Sequence, residues 1–594
     1  MSNIKWCLRF FCSSQRIFFL IAIVLSSVFV EYQNKVVALE IKDQVNFERR
    51  PLAIAAESKE SSIQLLEIQK EQETGNNEQP QVKKFLVQSR STVTVNKIEV
   101  IGSTVFGPGD LDPIIEPFEG RSLTIEDLRQ VADEISQLYL EKGYINSRAV
   151  PPADLDGIRA GVAQIQIVEG GLEEIVVEGT ERLENYVRDR VELGAAKPLN
   201  IRTLEDQLRL LKADPLFENI EASLRPGQER GTTILVVRAK ESFPFVGNVG
   251  FDNYSPPSIG GERFNLDLTY RNLGGIGDRI SAFYRPALRA WGDTYELDFN
   301  YTAPVNAMNG TLQLDATIYR SKIIQDILEA FDITSEAERY RFTYRQPFIR
   351  TPREEFAISF GFVYKDGQTF TFQGPRPFGF GPDDDGISRT SVFELGQEYV
   401  LRQVSGAWGF RSLFRIGTGL FNATDNSDLI IEVPDGKFVS WLAQLQRVQI
   451  INEDNFFIIQ LDSQLTPNSL LPAEQFAVGG GRSVRGYREN VRSGDNGVRF
   501  SVEDRFTVAR NESEEPVFTL APFFDLGYVW NDPNNPNLIP NNEQFIAGLG
   551  LGLLWEPVRG LDIRLDYAPP LIDLDDRGNN VQDDGFHFRV NYEF

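Results

Sequence analysis

The sequence predicts a transmembrane antiparallel β-barrel of about 16 strands preceded by two α+β domains, the two small domains spanning residues 94–241 and the barrel residues 242–594. Three observations predict it. The last part of the chain repeats segments of roughly ten residues that alternate apolar and polar. The middle part contains an internal repeat of mixed helix and strand character. The first residues read as an export address.

The alternation is the strongest of the three. Phe264, Leu266, Leu268 and Tyr270 share one face of a strand, and Tyr295, Leu297, Phe299 and Tyr301 share another. Glu296, Asp298 and Asn300 fall on the opposite face of that second strand. Phe356, Ile358, Phe360, Phe362 and Tyr364 make a third row. A period of two, with aromatic and aliphatic residues outward and charged residues inward, suits strands of about ten residues crossing a bilayer. A soluble sandwich also alternates, but it rarely places aromatics on so many successive strands. The chain holds 43 Phe, 18 Tyr and 48 Gly, a composition that favours sheet over helix.

The final segment alternates without a break. Phe586, Phe588, Val590, Tyr592 and Phe594 face one way, and His587, Arg589, Asn591 and Glu593 the other. The first set suits lipid and the second a watery lumen. Phe594 and Tyr592 are the residues expected to act as a C-terminal assembly signal, because an aromatic at the end of such a strand resembles the last-strand signal of bacterial outer-membrane barrels.

In residues 94–241, Lys97-Ile-Glu-Val-Ile-Gly102 answers to Glu174-Ile-Val-Val-Glu-Gly179 at an offset of 77. Thr124/Asp127 and Thr203/Asp206 each form a capping pattern that predicts a helix start. Ile125, Leu128, Ala132, Ile135 and Tyr139 make an apolar stripe, and Gly143 stands where that helix should stop. Residues 163–169 and 232–238 alternate as strands. Each unit thus reads strand, helix, helix, strand, strand, with units at 94–170 and 171–241.

Residues 1–38 read as a secretory signal. Lys5, Arg9 and Arg16 precede an apolar run of 14 residues from Ile17 to Val30, short of the roughly 20 that a membrane helix needs. Val36-Val37-Ala38 is the expected cleavage region. Residues 39–93 are an extension and linker, with a polar, turn-rich stretch from Glu73 to Gln81 and a short polar helix expected over 61–73.

Composition also excludes chemistry. The two cysteines, Cys7 and Cys12, fall within the signal, so the mature chain has no thiol for a disulfide, a nucleophile or a metal. The single histidine, His587, cannot supply a multi-histidine metal site, and a Ser-His-Asp triad is nearly excluded. No catalytic residue, no metal site and no cofactor are expected. A net charge of −25 argues against nucleic acid as a partner.

Two motifs carry a resemblance. The segment Leu471 to Tyr487, ending Val484-Arg485-Gly486-Tyr487, resembles the long sixth extracellular loop of the Omp85/TpsB superfamily. Phe523-Phe524-Asp525-Leu526-Gly527 matches that superfamily's Phe-x-Asp-x-Gly barrel-wall motif through Phe523, Asp525 and Gly527. Counting strands puts the loop between the eleventh and twelfth and Asp525 on the thirteenth. An arginine on a loop folded into a lumen must find a partner, because an unpaired charge in a confined site is costly. Asp525 would face it, Gly486 would permit a tight backbone, and Gly527 would leave room beside the loop.

The repeated α+β units resemble POTRA domains. Two of them before the barrel favour the two-partner secretion branch, similar to haemolysin and filamentous-adhesin secretion proteins, over the assembly branch that resembles BamA. The resemblance implies an outer-membrane location with the POTRA domains in the periplasm, and an N-terminal helix in the 39–93 extension that can plug the pore. It also implies a secreted partner of β-helical fold, contact with outer-membrane lipid, and insertion by the barrel-assembly machinery.

Overall fold

A computed structural model describes residues 92–594, apart from 156–157, 230, 326–327, 429–432, 538 and 540–543. The expected signal (1–38) and nearly all of the expected extension (39–93) lie outside the described residues. The described chain forms two compact units, 92–242 and 243–594.

The first unit opens with β1 (Val93–Val95), β2 (Lys97–Ile101), α1 (Pro108–Ile115), β3 (Arg121–Leu123), α2 (Ile125–Glu141), β4 (Arg148–Val150) and β5 (Val162–Val168). β2 runs parallel to β5, which pairs antiparallel with β4, while β1 and β3 form a separate small pair. The stripe on α2 seats Leu128, Val131, Ala132, Ile135 and Tyr139 in a core with Ile98, Ala163, Ile165 and Ile167. Thr124 starts the helix as a reciprocal cap. Its hydroxyl accepts from the Asp127 N–H at 3.2 Å, and the Asp127 carboxylate accepts from the Thr124 N–H at 2.7 Å. The Tyr139 hydroxyl donates to Glu169 at 3.0 Å, and burial pushes its pKa up to about 12.

The unit continues with β6 (Gly171–Glu178), α3 (Glu184–Glu192), α4 (Ile201–Lys212), β7 (Phe217–Pro226) and β8 (Thr232–Glu241), with β8 central, parallel to β6 and antiparallel to β7. A second core, around Leu183, Val187, Leu204, Leu211, Leu235 and Val237, lies beneath it. One expectation fails here. α4 starts at Ile201, not at Thr203, because the Asn200 side chain accepts from the Arg202 N–H at 3.0 Å and caps the helix three residues earlier. Thr203 is already inside the first turn, and its hydroxyl donates to the Asn200 carbonyl at 2.9 Å. The repeat shows best in two equivalent glycines. Gly102 and Gly179 have φ of +86° and +89°, and a Cβ on either would lie within 2.8 Å of a carbonyl oxygen on the adjoining strand.

The second unit is a closed antiparallel barrel of 16 strands. These are β9 (Phe245–Asp252), β10 (Arg263–Arg271), β11 (Arg279–Pro286), β12 (Tyr295–Pro304), β13 (Thr311–Lys322), β14 (Thr334–Arg350), β15 (Glu354–Thr371) and β17 (Ile387–Gln403). They continue with β18 (Gly406–Thr418), β19 (Val439–Ile450), β20 (Asn455–Leu465), β23 (Asn496–Arg510), β24 (Pro516–Trp530), β25 (Phe545–Trp555), β26 (Leu561–Tyr567) and β27 (Phe586–Glu593). A two-residue strand, β16 (Gly374–Pro375), extends the end of β15. β21 (Phe476–Val478) and β22 (Arg492–Gly494) pair only with each other. β27 closes the cylinder on β9, with Arg589 opposite Asp252 and Glu593 opposite Asn248. Closure leaves no strand edge for lipid to meet.

Burial is inverted relative to a soluble domain. Tyr270, Phe299, Leu314, Phe360, Phe414, Leu461 and Leu549 are exposed on the outside, whereas Asp298, Arg339, Glu394, Arg415 and Asp566 are buried inside. On β27 Phe586, Tyr592 and Phe594 are exposed and His587 is 1% exposed, while Glu593 at the strand end is exposed as well. The interior charges are tolerable because they pair, as Arg285 does with Glu296 and Asp298. Among the described residues no helix is long and apolar enough to cross a membrane; the crossing is made by strands.

Candidate functional site

The connection from β20 to β23 folds back into the barrel as a hairpin built on β21 and β22. These two strands carry Val478 opposite Arg492. Beyond β21 the chain turns on Gly479 and Gly480, whose φ values of +111° and +100° only glycine adopts readily. The Gly480 N–H donates to the Val484 carbonyl at 3.1 Å, which closes the turn and presents the next residue, Arg485, to the wall.

Arg485 is 5% exposed and Asp525 fully buried. The guanidinium grips the carboxylate with two prongs: Nε donates to Oδ2 at 2.7 Å and Nη2 to Oδ1 at 2.9 Å. The Arg485 peptide N–H donates to the same Oδ2 at 3.1 Å. Nη1 donates to Glu503 at 2.6 Å, and the guanidinium carbon sits 3.3 Å from the centre of the Phe523 ring. Asp525 lies on β24, Glu503 on β23, and Asp566, 3.6 Å from Nη1, on β26. One arginine therefore touches three staves.

The network extends along the wall. Arg564 donates to Asp566 at 2.7 Å and to Glu503 at 2.7 Å, and Arg505 donates to Glu503 at 2.8 Å. Three carboxylates face three guanidiniums, so the buried cluster is charge-neutral, the condition under which ions are stable in a confined space.

The neighbours of Arg485 seat the turn. Val484 is fully buried, and a Cβ on Gly527 would lie 2.9 Å from its Cγ2, so only glycine leaves room there. Gly486 has φ +99°, with its Cβ position 2.9 Å from the Ala568 carbonyl. The Tyr487 hydroxyl donates to the Ala547 carbonyl at 2.8 Å and accepts from the Ile572 N–H at 3.0 Å. Arg488 and Arg492 reach the β26–β27 connection, at 3.1 Å from Asp583 and 2.9 Å from Asp576 respectively. Val478, Val484, Tyr487, Val491, Val529, Ile546 and Leu574 form one apolar cluster around the turn.

All seven residues singled out in the two motifs thus meet in one place, between the eleventh and twelfth staves and on the thirteenth. Tyr592 and Phe594 stand apart from it. They lie at the end of β27, outside the lumen, where Phe594 covers Gly247 of β9. Glu503, Arg564 and Asp566 were not anticipated. Their signal was strand parity, since each occupies an inward position of an alternating segment. The site offers ion pairing and a closed turn, and no nucleophile beside a base. Among the described residues no group of His, Cys, Asp or Glu is arranged to hold a metal.

Comparison with known proteins agrees with this architecture. A POTRA domain of ShlB type matches residues 93–170. The outer membrane transporter CdiB of Dickeya dadantii is 24% identical over 408 residues, 68% of this chain and 71% of the relative. The heme/hemopexin transporter protein HuxB of Haemophilus influenzae is 21% identical over 494 residues, 80% of this chain and 82% of the relative. The solved structure of CdiB from Escherichia coli has the same fold, with a TM-score of 0.68 at 20% identity, over 93% of this chain and 99% of that one. A BamA structure from Haemophilus ducreyi shares the fold more distantly, with a TM-score of 0.50 at 14% identity, over 84% of this chain and 100% of that one. The haemolysin secretion/activation protein family ShlB/FhaC/HecB matches residues 231–554. That match spans more than half of the chain, and the protein belongs to this family of outer-membrane two-partner secretion transporters, with its POTRA domains in the periplasm.

Proposed function

We propose that the protein exports one secreted partner, capturing it unfolded in the periplasm and passing it as an extended chain through the barrel. The observation that carries this reading is the lumen loop. A pore whose interior is crossed by a segment pinned through Arg485, Asp525 and Glu503 is built to control passage rather than to stand open. Each of the two three-stranded sheets of the first unit ends in edge strands, β2 and β4 in one, β6 and β7 in the other. An extended segment can add to such an edge by main-chain hydrogen bonds, which makes capture tolerant of sequence.

On this reading the partner is a large exoprotein of β-helical fold, and its folding outside the cell prevents return. Transport needs no bond to be made or broken by this chain, so no catalytic step is assigned to it. Residues 1–38 direct export to the periplasm and 39–93 precede the POTRA units, at 94–170 and 171–241. Phe594 and Tyr592 mark the last strand for the barrel-assembly machinery, and the aromatic exterior meets outer-membrane lipid.

Deleting the protein from its host should remove one secreted protein from the medium and leave other outer-membrane barrels at normal levels. Broad loss of outer-membrane barrels with secretion intact would refute export and favour an assembly role.

A further inference from the structure

The lumen loop is anchored on a second side, by Glu474. We propose that Glu474 is a positioning residue for transport, holding the loop to a different arc of the wall from Arg485, so that the segment between them is fixed at each end by an ionic anchor. This rests on the reading of the loop as the control element of the pore.

Glu474 lies eleven residues before Arg485 and is 2% exposed. One carboxylate oxygen accepts from the Thr390 hydroxyl at 2.8 Å and pairs with Lys365 Nζ at 3.0 Å. The other accepts from Arg415. Lys365 also donates to the Ala473 carbonyl at 2.9 Å, and Gln464 donates to the Glu474 carbonyl at 2.9 Å. Glu394 backs Arg415 at 3.4 Å. These partners stand on β15, β17, β18 and β20, whereas those of Arg485 stand on β23, β24 and β26. In the closed order of staves the two sets occupy different arcs of the cylinder.

The chemistry of the two anchors is also opposite. Arg485 is a loop cation among wall carboxylates; Glu474 is a loop carboxylate among wall cations. A loop offering one sign at each end is held in one register, because sliding it would bring like charges together. Tyr487, Arg488 and Arg492 fix the loop on the far side of Arg485. Glu474 supplies the ionic hold on the near side.

The mature chain is expected to lack cysteine, which makes a single reporter thiol simple to install. Ala477 is 3% exposed and lines a cavity of about 60 Å³ beside Glu474, so Ala477→Cys fits and reports undocking by its rate of labelling with a water-soluble maleimide. In the full-length protein in outer-membrane vesicles, Glu474→Gln should raise that rate by about tenfold, the ratio expected for a loss near 1.4 kcal/mol. Glu474→Asp, which keeps the charge, should recover part of it. An unchanged rate in Glu474→Gln would overturn the anchor.

Should Glu474→Gln fail to give a heat-modifiable, folded barrel, the variant Glu474→Gln/Lys365→Met/Arg415→Met removes the buried charges together. It should still label faster than the unaltered loop, because no ionic anchor remains at this position; labelling at the unaltered rate would overturn the proposal. Secretion measured on the same strains separates the two readings. Faster labelling with normal secretion keeps Glu474 as an anchor and refutes the loop as a control element.

Discussion

Replacing Arg485 by alanine is the sharpest perturbation. The change removes the two-pronged contact with Asp525, the bond to Glu503 and the stacking on Phe523. Breaking a buried ion pair by deleting one partner costs roughly 3–5 kcal/mol. The lower end applies, because both carboxylates keep hydrogen-bond donors, although Asp525 loses its cation. Asp525 keeps the Ser501 hydroxyl at 2.6 Å and the peptide N–H of position 485, and Glu503 keeps Arg564 and Arg505. At about 1.4 kcal/mol per decade, a loss near 3 kcal/mol enlarges the undocked population of the loop by about a hundredfold. Asp525→Asn should cost less, about 2 kcal/mol, since Arg485 retains Glu503 and the ring. The double variant should sit near the Arg485 single, about 2 kcal/mol short of additivity. Hydrogen exchange over residues 479–492 measures docking, and recovery of the secreted partner from the medium measures export. Additive effects, or a protected loop with normal secretion in Arg485→Ala, would refute the reasoning.

Three further outcomes follow from the same geometry. Gly486→Ala places a side chain at φ +99° and within 2.9 Å of the Ala568 carbonyl, a strain of about 1–3 kcal/mol, and should speed hydrogen exchange of the turn. Tyr487→Phe strands the Ile572 N–H without its acceptor, at about 1–3 kcal/mol, and should expose the β26–β27 connection to protease. Thr124→Ala removes the reciprocal cap of α2 and should cost about 1 kcal/mol, read as roughly fivefold faster exchange over residues 125–141 with the barrel unaffected.

Much of the fold was legible because its signals are local. Strand parity follows from chain geometry alone, so Phe299 outward and Asp298 inward needed no knowledge of which strands pair. The Thr124 cap was legible for the same reason, since donor and acceptor lie three residues apart. Thr203 misled because two cap-forming residues stand close together, and Asn200, the nearer to the preceding turn, captures the free N–H groups first.

The sequence by itself determined the period of the barrel segments and the repeat in residues 94–241; the pairing of Arg485 with Asp525 came from the resemblance of two motifs to a known superfamily. Only the tertiary structure decided that Arg485 also holds Glu503 and lies over Phe523, that Arg564 and Asp566 complete a neutral cluster, and that Glu474 meets Lys365 and Arg415 on another arc. The physical reason is separation along the chain. Parity tells which residues face the lumen, but which of the many inward charges meet depends on register around the closed cylinder, and that is set by all the staves together.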